Sequence, residues 1–407
     1  MNPFTEKGIP IEKQFQPWSE LNQVPYDKGF IHPYTRTRII LMNGIEVEGI
    51  YFSHNFARSV ADIDLKRQLA ATRRIEQQQQ KLVNWFPPGN ESTLEVTIGY
   101  EQVAVDLTAY MARTEPDPKV KAALDFALLE DFDHLYRYSN LMELTEGKTA
   151  DRTVKELTEI MPGRPTIAEH RHPMDSIRTP VDRASADPLT LVHILTIVAG
   201  EQQTMNFYMN VGNRPESMLG RGLYLEIAQI EEQHVSHYES LLDPNMSWFE
   251  KLVLHEYNEC YMYWSCLNSE IDDRVKQVWQ HNLEQEIEHL RISAELMKKF
   301  ERRDPAELYP ASFPQPTIFE SSKDYIREIL RSQIDLTEKE TEYAPTSRLP
   351  ENYRYFQFQK MANNGGNIAP SQQVIEDTIK HFGRDYRLET EGPHPVQRLR
   401  ARETAAV

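Results

Sequence analysis

Along most of this chain apolar residues recur at the three- and four-residue spacing of amphipathic helices, and no stretch alternates with the two-residue period of a half-buried strand. Read with its breakers, the pattern predicts eight main helices, over 37–59, 62–86, 93–113, 118–143, 188–211, 218–241, 248–270 and 273–302. Pro87-Pro88, Pro116, Pro118, Pro188, Pro244 and Pro305 mark most of the ends. The chain therefore divides into an N-terminal arm (1–36), a first four-helix repeat (37–143), a crossover linker (144–187), a second four-helix repeat (188–302) and a C-terminal extension (303–407). The Pro- and Tyr-rich extension is expected to be mostly irregular, a wrapping or interface arm with short helices near 322–334, 348–362 and 371–382. The predicted fold class is all-α.

The two repeats align without gaps at a shift of 155 residues. That shift places Lys119-Val120-Lys121 on Arg274-Val275-Lys276, His134-Leu135 on His289-Leu290, and Leu141-Met142 on Leu296-Met297. It also superposes Ser92-x-x-Glu95 on Ser247-x-x-Glu250, each the signature of a reciprocal helix cap. Upstream, Ile75-Glu76 falls on Ile230-Glu231, Phe52 on Phe207 and Asn55 on Asn210.

Each of four helix pairs carries an acid on its first helix and another thirty residues later on its second: Glu46/Glu76, Glu101/Asp131, Glu201/Glu231 and Glu256/Glu286. Three second acids are followed at i+3 by histidine, giving Asp131-x-x-His134, Glu231-x-x-His234 and Glu286-x-x-His289; the fourth reads Glu76-x-x-Gln79. The i, i+3 spacing puts both side chains on one helix face. The first-helix acids share their faces with apolar residues, as Glu201 does with Ile197, Val198 and Met205. Carboxylates on a core-facing stripe are costly to bury and raise one another's pKa unless neutralised. A divalent cation removes both costs, and mixed carboxylate–imidazole sets suit iron or manganese.

Composition narrows the class further. Of 407 residues, 40% are hydrophobic and 26% charged, as expected of a folded globular chain. The 62 acids against 45 Lys and Arg give a net charge of −17, which disfavours nucleic acid as a partner. Cys260 and Cys266 match neither a zinc pattern nor a disulfide framework. The N-terminus lacks a signal-peptide pattern, and the most apolar run, Leu189 to Gly200, is too short to span a bilayer. A cytoplasmic protein without membrane partners is expected.

One Glu from each of two helices, with Glu-x-x-His from each of two others, resembles the ligand pattern of the ferritin-like di-iron carboxylate proteins. The likeness covers 46–142 and 201–297, and departs from the pattern at Gln79 and Asp131. It implies tandem or intertwined ferritin-like four-helix bundles binding iron or manganese at Glu46, Glu76, Gln79, Glu101, Asp131, His134, Glu201, Glu231, His234, Glu256, Glu286 and His289. It further implies a dioxygen-activating oxidoreductase acting on a small molecule held in a nearby apolar pocket, with a separate protein as electron donor. Alternatives are a ferroxidase or other metal-handling protein, and a helical scaffold whose sites have decayed. No residue is singled out for catalysis or for an organic cofactor, and a monomer and a homodimer are both open.

In such folds the two helix pairs run in opposite senses, so the chain joining them must cross the bundle's length. A helix of about 22 residues is about 33 Å long, beyond the reach of the six residues 87–92. Only 144–187 is long enough to cross. That groups Glu101, Asp131, His134, Glu201, Glu231 and His234, and separately Glu46, Glu76, Gln79, Glu256, Glu286 and His289. The rival grouping joins the first pair with the second. Of the remaining candidates, His237 and His255 are expected on partly exposed faces, and His170-Arg171-His172 in a free loop. Tyr100, Tyr257 and Tyr261 are read as core packing, and Gln77 to Gln80 as a polar helix face.

Overall fold

The computed structural model describes residues 1–363 and 368–401. Its main helices are α1 (Pro33–Ser59), α2 (Ile63–Asn84), α3 (Thr93–Thr114), α4 (Pro118–Glu146), α5 (Pro188–Val211), α6 (Met218–Glu239), α7 (Trp248–Ser269) and α8 (Asp273–Glu301). The C-terminal part adds α9 (Lys323–Gln333), β1 (Leu336–Lys339), β2 (Glu342–Pro345), α10 (Arg354–Ala362) and α11 (Pro370–Phe382). The fold is thus mainly helical, and among the described residues no helix is long and apolar enough to cross a membrane.

Helix starts follow local chemistry. The Ser92 and Ser247 hydroxyls accept from the Glu95 and Glu250 amides, and each Glu carboxylate accepts from its serine's amide. Asp117 and Asp272 likewise cap α4 and α8, each accepting from two amides of the first turn. Helix α1 begins four residues earlier than expected. Pro33 suits a first helical position, where no N–H is needed, and His32 caps it.

The chain forms two compact units. The first contains Met1–Asn90, Val181–Gln203 and Leu242–Phe319; the second contains Glu91–Pro180, Thr204–Leu241 and the chain from Glu320 on. In the first unit α1 pairs with α2 and α7 with α8, while α1 packs on α7 and α2 on α8. Its apolar contacts include Phe52, Phe56, Leu65, Leu69 and Leu252. In the second unit α3 pairs with α4, and α4 also packs against α6. Helix α5 is divided between the units after Gln203.

The C-terminal extension is irregular between short helices that fall close to the expected 322–334, 348–362 and 371–382. Helices α9 and α11 pack on α4, burying Ile326, Ile329, Leu330, Val374 and Ile375 in the second unit's core. Helix α10 starts only at Arg354, beyond Pro350. Strands β1 and β2 pair antiparallel, with Leu336 opposite Pro345 and Lys339 opposite Glu342. Four residues per strand are too few to expose an alternating pattern in sequence, and the turn holds Glu340 at φ 54° without a glycine to signal it. The C-terminal residues 402–407 of the expected extension lie outside the described residues.

The crossover is also structured. Gly163 sits so close to α4 that a Cβ there would come within 2.3 Å of the Leu129 carbonyl oxygen. The Asp133 carboxylate accepts from the Gly163 amide (3.1 Å), the Thr166 amide (2.8 Å) and the Thr166 hydroxyl (2.7 Å). Those bonds lay a single helical turn, Thr166–Glu169, along α4.

Candidate metal centres

In the first unit, five buried carboxylates converge on one histidine: Glu46 from α1, Glu76 from α2, Glu256 and Glu259 from α7, and Glu286 with His289 from α8. Ligand atoms of Glu76, Glu256 and His289 lie within 4.8 Å of one another, as do those of Glu256, Glu259 and Glu286. Gly49 makes room on α1, since a Cβ there would fall 2.4 Å from Glu259 Oε1. His289 Nδ1 faces inward, 3.1 Å from Glu286 and 3.9 Å from Glu256. Its Nε2 faces outward, 2.7 Å from the Gln14 side-chain oxygen. The Gln79 amide donates to Glu286, and the Tyr263 hydroxyl donates to Glu46.

This cluster lacks charge balance. Among the described residues, Oε2 of Glu46, Glu76, Glu256 and Glu259 and Oε1 of Gln79 are buried without a hydrogen-bond partner. Burial, then the neighbouring Glu286, pushes Glu46 well up. Burial also raises Glu256 and Glu259, reinforced by the surrounding carboxylates. Glu76 is pushed up to about 7 by burial, with His289 pulling the other way. Burial raises Glu286 as well, but His289 together with hydrogen bonds from Glu259 and Gln79 outweighs it and holds this group alone low.

The second unit brings together Glu101 from α3, Asp131 and His134 from α4, and Glu231 and His234 from α6, all buried. Glu201 is buried on the segment of α5 that belongs to the first unit. Ligand atoms of Glu101, His134 and Glu231 lie within 4.8 Å, as do those of Asp131, Glu231 and His234. Both histidines again point Nδ1 inward. His134 Nδ1 is 3.1 Å from Glu231, and His234 Nδ1 is 3.2 Å from both Asp131 and Glu231. Their Nε2 atoms face outward, onto Glu169 at 2.9 Å and Glu130 at 2.8 Å.

Here one outer carboxylate, Glu130, is itself paired, while burial pushes Glu169 up to about 8 against the pull of His134. Arg171, on the segment expected to be a free loop, is fully buried and bridges Glu130 to Glu338 of β1. Arg164 adds a second contact to Glu130 at 3.0 Å. His237, expected to be partly exposed, is buried between Glu338 and the Tyr343 hydroxyl of β2. In the first unit His255 is buried too, 2.7 Å from Glu48 and stacked on Phe52. Burial raises the cost of ionising Glu130, but Arg171, His234 and Arg164 overcome it and hold the group far below the usual carboxylate range. Glu231 is likewise held at about 2, its bonds from His134 and His234 outweighing burial. Burial keeps Glu101 and Asp131 raised.

Sequence reading missed six groups at these clusters: Gln14, Glu130, Glu169, Glu259, Tyr208 and Tyr263. Two carried a signal. Tyr208 donates to Glu101 as Tyr263 does to Glu46, and the tyrosines lie 55 residues apart, as do the acids. The others come from segments outside the repeat or from positions flanking the motifs.

The donor sets fit a divalent metal. Each histidine offers an inward nitrogen to carboxylates and fixes its ring through an outward N–H bond, the arrangement that selects the tautomer of a metal-ligating imidazole. Carboxylate oxygens buried without a hydrogen-bond donor are what an ion of this kind would engage. No protein-family model, curated protein or solved structure matches the chain.

Proposed function

We propose that this chain is a di-metal carboxylate protein of ferritin-like type, loaded with iron or iron and manganese, and that it works as a dioxygen-activating oxidoreductase on a small molecule. The observation that carries the reading is the shared orientation of His134, His234 and His289, each with Nδ1 toward carboxylates and Nε2 toward an outer acceptor. A bound metal pair supplies redox chemistry and neutralises the converging carboxylates. The protein's own groups do the rest. Glu169 and Glu130 orient the second unit's two imidazoles, Gln14 orients the first unit's, and Tyr208 and Tyr263 each hold one glutamate in place. Enclosure of both clusters keeps bulk water from the reacting groups.

The sequence carries no glycine-rich dinucleotide fingerprint or iron–sulfur cysteine set, so reducing equivalents would come from a separate protein. A second reading applies to the first unit alone. Gln79 stands where the pattern has histidine and donates to Glu286, which suits a cluster that holds protons in place of metal.

Elemental analysis of protein purified without chelator tests the proposal, followed by optical spectra of the reduced protein on exposure to air. Four iron or manganese atoms per chain assign both units, and two assign one. Many tens of iron atoms per chain would point to storage. Absence of metal, with no thermal stabilisation on adding it, would sink the reading.

A further inference from the structure

A cavity of about 320 Å³ in the second unit descends from the surface toward Tyr208, the residue whose hydroxyl donates to Glu101. Its floor is Tyr208 and Ala228, each about 1% exposed, and Ala228 lies one turn before Glu231 on α6. Its mouth is formed by Met209, Met218 and Leu225, which are 50%, 79% and 59% exposed. Ligand pockets are typically about 300–1,000 Å³, so the occupant is small. The described lining carries one charge, the exposed guanidinium of Arg221, and no acid. That is an unusual surface on a chain of net charge −17. Arg221 commits one N–H to the Asn213 carbonyl, leaving donors for a ligand. Glu226 lines the adjoining cavity, where the Ser371 amide and hydroxyl already engage its carboxylate.

We propose that this cavity binds a small monoanion with an apolar body, such as a short-chain carboxylic acid. The anionic group stays at the mouth on Arg221, and the apolar end reaches the floor beside Tyr208 and Glu101. Under the function proposed above, on which this assignment of a substrate class rests, the C–H bond that reacts lies at the end remote from the carboxylate: C–H and O2, with two protons and two electrons from the separate donor protein, give C–OH and water. The binding itself involves no metal.

Ligand-observed NMR on the full chain, with and without metal, provides the test, using hexanoate and its uncharged counterpart 1-hexanol as probes. Hexanoate is expected to bind in both states. Arg221→Gln weakens it about tenfold and leaves 1-hexanol unchanged. Leu225→Trp, at an exposed position, narrows the mouth and weakens both probes, as does Ala228→Trp where it folds. Equal effects of Arg221→Gln on the two probes would overturn the anion assignment. Hexanoate binding that ignores both Arg221→Gln and Leu225→Trp would overturn the site. So would a dimer in sedimentation that Met218→Asp converts to monomer, because the mouth would then be covered by a second copy. A chain that binds hexanoate but holds no metal would retain the cavity and lose the oxidoreductase reading; metal without hexanoate binding would do the reverse.

Discussion

The two units build the same kind of cluster from the same kind of helix hairpin, yet they balance its charge by opposite means. In the second unit the cations are built in. His134 and His234 pair with Glu231, and Arg171 and Arg164 neutralise Glu130 behind them. In the first unit five carboxylates share one histidine, and its outward nitrogen meets a neutral amide from Gln14. The first cluster has protons or a metal to offset four raised carboxylates, whereas the second holds Glu130 and Glu231 low with arginines and histidines and leaves Glu101, Asp131 and Glu169 raised. Similar motifs therefore need not mean equal dependence on metal, because the groups that settle the charge come from outside the motif.

Three measurements break or sharpen that contrast. The largest effect is expected from Arg171→Met, which leaves Glu130 and Glu338 buried without their shared partner. Breaking one side of a buried ion pair costs about 3–5 kcal/mol. Metal affinity of the second unit should also fall, by up to about tenfold, because Glu130, which orients His234, loses one of its two guanidinium partners. Chemical denaturation and metal titration check this, and an unchanged second-unit affinity would show that the built-in cations do not support the site.

Next in size is the pH dependence of the metal-free protein. An unfolded chain releases the Glu76 proton near 4.5 and the folded chain near 7, so the folded state binds more protons across that window. Stability therefore falls as pH rises from 4.5 to 7, by about 3 kcal/mol for this group. Glu231 behaves oppositely. Its folded value of about 2 lies below the unfolded 4.5, so its contribution is present above 4.5 and is lost as pH falls toward 2. Thermal melts of chelated protein between pH 5 and 8 should descend, and added manganese should flatten them. A flat metal-free profile would remove the bound proton from Glu76, and a descent abolished by Glu169→Gln would place it in the second unit instead.

The smallest effect is expected from Gln79→His, which gives the first unit the second histidine that its counterpart has. Metal should bind there about tenfold tighter, on the scale of about 1.4 kcal/mol. Calorimetric titration checks it. No gain would mean that Gln79 is not what separates the two sites.

The helical class and both reciprocal caps were legible because they depend on residues within a turn or two of each other. The internal repeat was legible for a related reason, since one shift preserves the spacing of every motif. Tyr208 and Tyr263 were legible in principle through their 55-residue separation. Glu130 and Glu169 were not, because nothing in their own segments distinguishes them from surface acids. Arg171 was misread as part of a free loop for the same reason: its burial is set by Gly163 and Thr166 docking on α4, and by Glu338 some 170 residues away. The short β1–β2 hairpin fell below the length at which periodicity is visible.

What the sequence determined by itself was the set of helices, their caps, and the faces on which acids and histidines stand, because helical geometry converts spacing directly into direction. What only the tertiary structure decided was which distant groups meet those faces. Gln14, Glu169, Arg171 and Glu338 belong to the arm, the crossover and the C-terminal hairpin, and their charge enters the clusters through packing. Electrostatic balance in a buried site depends on every charge within a few ångströms, wherever in the chain it originates.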